Sequence, residues 1–74
     1  MRVKLIETDH GAALRAYRVE LDGKLLGYVG MVYSGWVQGG HWRHYLPISN
    51  SGTSHSTRAQ AIRALRECHR LGIT

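Results

Sequence analysis

The dipeptide Asp22-Gly23 restricts what this chain can fold into more than any other two residues. A type I′ turn needs positive φ at both central positions, and Asp-Gly adopts it at little steric cost, so the flanking segments are expected to pair as a two-residue β-hairpin. The first arm fits: Tyr17, Val19 and Leu21 alternate with Arg18 and Glu20, which makes Ala13 to Leu21 a half-buried strand. A turn of this length sets the register, so Leu21 should face Lys24, Val19 should face Leu26 and Tyr17 should face Tyr28. Gly27 and Gly30 interrupt the second arm. They mark a bulge, a strong twist, close approach of another backbone, or simply a place where a helix packs tightly.

On either side of this hairpin the pattern continues. Arg2 to Glu7 alternates polar and apolar as a short edge strand does, with Arg2 and Lys4 discouraging unwanted edge pairing. Thr8-Asp9-His10-Gly11 is turn chemistry, and Met31-Val32-Tyr33 prolongs the third strand. A second hairpin is expected around Gly39-Gly40, with Val37 opposite Trp42; the alternative is a turn at Ser34-Gly35 and a loop through the glycines. His41 to Leu46 is the last strand, with Trp42, His44 and Leu46 on one face and His41, Arg43 and Tyr45 on the other. Pro47 ends its pairing. The polar stretch Ser49 to Ser56 is expected to be a mobile connection.

Thr57 to Gly72 reads as one amphipathic helix. Thr57 can cap it, Gln60 can complete a capping box, and Gly72 suits a left-handed position just past the end. At about 100° per residue, Ala61, Ile62, Leu65 and Cys68 fall on one flank, with His69 at its margin, while Arg63, Arg66 and Arg70 cluster within roughly 60° on the other. Four antiparallel strands followed by one such helix imply a single α+β domain over residues 1–74, an antiparallel three- to four-stranded sheet with the C-terminal helix on one face, in the order β-β-β-β-α. Burying Ile62 and Leu65 against Val19, Leu21 or Leu26 would contribute about 1.5–3 kcal/mol per side chain, which matters in a domain this small.

Composition excludes several classes. One cysteine, Cys68, rules out an intrachain disulfide and argues against a Cys-based zinc site, which together with the absence of a signal-peptide or membrane-length apolar run points to a soluble cytoplasmic protein. His41 and His44 stand three apart on a strand and so diverge, Cys68 and His69 are adjacent, and no metal site is expected. Ser54-His55-Ser56 lacks an acid placed to orient the histidine, and the glycines form no phosphate-cradling loop. Neither enzyme activity nor a cofactor is expected.

What remains is binding. The net charge of +5 is concentrated in the second half, where five arginines stand against Glu67 alone, and eight of the ten cations are Arg, which suits bidentate contact with phosphate or carboxylate. Tyr33, Trp36, Trp42 and Tyr45 interleave with Arg43 and His44 as stacking platforms and cations do on nucleic-acid surfaces. Trp42 suits the core as well as a contact, whereas Trp36, beside Gly35, suits exposure. The candidate nucleic-acid contacts are therefore Trp36, Arg43, His44, Arg58, Arg63, Arg66 and Arg70.

The run Tyr17 to Val29, the Gly35-Trp36 pair and the run Thr57 to Leu65 together resemble small orphan proteins of actinobacterial phages and prophages. The order of parts from Gly35 to Leu65 is also similar to the sheet-plus-helix DNA-binding domains of phage integrase arms and plant ethylene-response factors. In those domains the sheet contacts DNA, which implies such a role for Trp36 and Arg43; they commonly carry an aromatic residue two positions before the helix-starting threonine, where this chain has His55. A weaker similarity is to the second half of double-stranded-RNA-binding domains, although the N-terminal helix of that family is absent here. The expected partner is thus nucleic acid, DNA ahead of RNA, with an acidic host protein or a homodimer contact as the alternative.

Overall fold

The computed structural model describes residues 2–11, 13–34 and 37–74, with the side chains of 34 and 37–39 left aside. Five antiparallel strands, β1 (Val3–Thr8), β2 (Arg15–Leu21), β3 (Lys24–Ser34), β4 (Val37–Tyr45) and the two-residue β5 (Ser54–His55), lie in sequence order in one sheet, and a C-terminal helix, α1 (Arg58–Leu71), packs on one face. This is the expected α+β architecture, with one further short strand. β1 stands at the sheet edge, as its Arg and Lys residues suggested.

The Asp22-Gly23 turn forms with both φ angles positive, 52° and 83°, and pairs Leu21 with Lys24 as expected. Beyond that pair the register departs from simple alternation. Glu20 faces Leu25 but Val19 faces Gly27, so Leu26 is the extra residue of a β-bulge. Leu26 then turns into the core, only 2% exposed, Tyr17 faces Val29, and Tyr28 faces Arg18 on the opposite side of the sheet. The predicted Val19–Leu26 and Tyr17–Tyr28 pairs are replaced for that reason. Gly27 makes the bulge possible, because its φ of 147° is strained for any other residue and a Cβ there would collide with the Tyr45 carbonyl and come within 2.7 Å of Leu65 Cδ2.

The second hairpin is also corrected. Ser34 pairs with Val37, and β4 runs on through Gly39-Gly40. Trp42 lies opposite Met31, not Val37. Val32 pairs with His41, so β4 carries two more residues than β3 between the two pairs and the glycines sit in this irregularity instead of at a tip. β2 starts two residues later than predicted, because Ala13 and Leu14 belong to the β1–β2 connection, which folds back over the sheet face away from the helix. There His10 stacks on Tyr28 at 4.5 Å and 18°, lies 4.4 Å from Tyr45, and hydrogen-bonds through Nε2 to Asn50 Oδ1 at 2.8 Å. Ala13 covers Gly30, and Ala16 beneath is 3% exposed.

The core lies between the other sheet face and α1. Val19, Val29, Ala61 and Leu65 are fully buried, Leu26 and Leu46 nearly so, and Val3, Leu5, Tyr17, Leu21, Trp42, Ile62 and Cys68 pack around them half-buried. Full burial of Leu65 alone is worth about 1.5–3 kcal/mol. The helix ends are satisfied as the sequence suggested, with one shift: Thr57 Oγ1 accepts from the Gln60 N–H at 3.2 Å, but the Gln60 side chain accepts from the N–H of Ser56, one residue before the cap. At the other end the Gly72 and Ile73 N–H groups donate to the His69 and Cys68 carbonyls, a Schellman closure. The polar connection is not a loose loop: Thr53 and Ser51 carbonyls accept from the His44 and Leu46 N–H groups, which lays it along β4.

Candidate nucleic-acid interface

The helix contributes four arginines, Arg58, Arg63, Arg66 and Arg70, against one acid, Glu67. At about 100° per residue all four fall within roughly 140° of the helix circumference, on the side that leans toward β2, and all four are exposed. The contacts of α1 fall chiefly on β3, β4 and β5, so the sheet beyond β3 on that face is only partly roofed. The result is an open groove of about 690 Å³ with the half-buried Leu21 and Ile62 at its floor and the exposed Ala59, Arg63, Arg66, Glu67, His69 and Arg70 around it. Arg70 is ion-paired with Glu67 through Nη2, and this hydrogen bond holds the Glu67 carboxyl below its ordinary range while raising the guanidinium of Arg70.

Arg58 stands at the head of this row. Its Cζ lies 5.3 Å from the ring centroid of Tyr17 and 5.8 Å from that of Trp42, so one guanidinium spans two aromatic faces. The rings are 6.3 Å apart at an interplanar angle of 26°. Strand parity explains the meeting: Tyr17 on β2 faces Val29, Trp42 on β4 faces Met31, and both side chains leave the sheet on the helix-covered side.

The remaining candidates lie elsewhere. Arg43 is on the opposite face, 5.7 Å above the Tyr45 ring, beside the loop that carries His10, and so does not join the helical row. His44 is on the covered face and only 6% exposed, which leaves it no surface to offer a ligand. Its Nδ1 is 2.8 Å from His55 Nε2, tying β4 to β5 just before the helix cap. Burial first, and then the positive potential of His55 and Arg43, lower the His44 pKa from its ordinary 6.5. Trp36 lies outside the described residues. The sequence had Tyr17 only as a core-facing residue, and its place beside Trp42 depends on the registers of β2, β3 and β4, which the bulge and the β3–β4 irregularity shift.

This arrangement offers cation and aromatic surface. His55, between Ser54 and Ser56, has its Nε2 directed to His44. Among the described residues no three His, Cys, Asp or Glu side chains gather to hold a metal, and no helix is long and apolar enough to cross a membrane. No protein-family model, curated protein or solved structure matches the chain.

Proposed function

We propose that this chain is a small, non-enzymatic, phage-type accessory protein that binds nucleic acid, DNA ahead of RNA, through the arginine side of its helix. One observation carries this reading: four exposed arginines stand on α1 against a single acid, in a chain whose ten Lys and Arg outnumber its five Asp and Glu. Internal ion pairs can neutralise at most half of those cations. The exposed pair of Arg70 with Glu67 is exchangeable, since a surface ion pair contributes little and a phosphate competes for the same guanidinium. Fluorescence anisotropy with labelled DNA at low salt tests this. Binding is expected for the native chain and a loss of at least tenfold for Arg63→Gln combined with Arg66→Gln; equal affinity of the two proteins would end the reading.

A second reading, an interaction module that dimerises or holds an acidic host protein, is favoured by the unpaired outer edge of β1 and by exposed Ile48, Leu71 and Ile73 near the C-terminus, where Thr74 accepts from the Ile48 N–H. Light scattering separates it: a mass near 8.3 kDa fits the nucleic-acid reading, and a stable mass of twice that, with no DNA binding, fits this one.

A further inference from the structure

We infer that Tyr17 and Trp42, at the head of the arginine row, form a stacking site for an unpaired nucleobase, so that the chain prefers single strands to duplexes. This rests on the nucleic-acid reading and specifies its ligand. Both rings leave the covered face of the sheet, yet both are only half-buried, whereas Val19 and Val29 beside them are fully buried. The reason is where the helix starts. Its buried side chains are Ala61 and Leu65, one turn or more into α1, so the first turn lays over these rings the guanidinium of Arg58 instead of an apolar side chain.

A guanidinium resting on two aromatic faces is the kind of cover a base can replace. The base takes the ring face by stacking, and the displaced guanidinium, still within reach, turns to the phosphate of the same nucleotide. Base–aromatic stacking is worth about 5- to 150-fold in affinity per base, and the guanidinium that gives up its two ring contacts gains a phosphate in exchange. In a duplex the base faces are already stacked on one another, and only an unpaired base can use this platform. Arg63, Arg66 and Arg70 follow at about 7.5, 12 and 18 Å along the helix axis from Arg58, a row on which the backbone of the following nucleotides can lie.

The test uses the full chain with a dye-labelled twelve-nucleotide thymidine strand and a twelve-base-pair duplex at one low salt concentration. Single-strand affinity at least tenfold above duplex affinity is expected. Tyr17→Ala should lose about 5- to 150-fold for the single strand and little for the duplex. Tyr17→Leu, which keeps an apolar side chain against the core, should show the same selective loss and guards against misfolding of the alanine variant. In a Trp36→Phe background Trp42 is the one tryptophan, and its emission should be quenched by the single strand but not by the duplex. Equal binding of strand and duplex, unaffected by Tyr17→Leu, overturns the stacking site while leaving nucleic-acid binding intact. Failure to bind either probe overturns both.

Discussion

Replacing Gly27 by alanine probes the closest contact between sheet and helix. At φ 147° a Cβ is strained, which costs about 1–3 kcal/mol. The same Cβ would meet the Tyr45 carbonyl and stand 2.7 Å from Leu65 Cδ2, and Leu65 is fully buried, so relief requires moving a core side chain or a strand. Overpacking of this kind adds about 1–3 kcal/mol. The total, about 2–6 kcal/mol, compares with a folding free energy of about 4–11 kcal/mol for a 74-residue chain at ~0.05–0.15 kcal/mol per residue. Gly23→Ala is the control: its φ is 83°, nothing lies within 4 Å of the added Cβ, and the cost is conformational alone, about 1–2 kcal/mol. Urea unfolding followed by circular dichroism should place the midpoint of Gly27→Ala well below that of Gly23→Ala. If the two variants unfold at the same urea concentration, the bulge does not bring β3 against Leu65 as described.

Two further outcomes follow from particular contacts. Because the His44 pKa is lowered in the folded chain, the unfolded chain takes up its proton near pH 6.5 and the folded chain only at lower pH; stability is complete above about pH 6.5 and declines below it, by at most about 1.4 kcal/mol per pH unit for one proton. Urea midpoints measured from pH 7.5 to 5 should fall, and His44→Gln should flatten the trend; a midpoint indifferent to pH in this window contradicts the buried histidine pair. Thr57→Ala removes the hydroxyl that accepts from the Gln60 N–H and should cost about 0.5–2 kcal/mol by thermal unfolding, with an unchanged melting temperature as the refuting result.

The helix was legible because independent signals agreed on it: a capping threonine, a period near 3.6 and a terminal glycine all pointed to the same boundaries. The Asp22-Gly23 hairpin was legible for the same reason. Its register was not, since one bulged residue inverts the facing of everything beyond it, sending Tyr28 out and Val29 in, and glycine alone does not say which of its uses applies. β5 spans two residues, too short for any periodicity, and is held by the pairing of Trp42 with His55 and Arg43 with Ser54, thirteen and eleven residues apart in sequence. The cluster of Arg63, Arg66 and Arg70 followed from helical spacing alone, whereas the place of Arg58 over two rings did not. Nor did the surroundings of this arginine row: the groove beside it depends on α1 lying chiefly over β3 to β5, a tertiary choice that leaves Leu21 and Ile62 at the floor and brings Tyr17 and Trp42 under Arg58.

The salt dependence of nucleic-acid affinity tests the role of that row most directly. If all four helix arginines meet phosphates of a single strand, the log–log slope of affinity against salt is about −2.8, and each substitution of Arg58, Arg63, Arg66 or Arg70 by glutamine should reduce its magnitude by about 0.7. A slope near zero, or one that these substitutions leave unchanged, would show that the guanidinium groups of α1 face something other than a phosphate backbone.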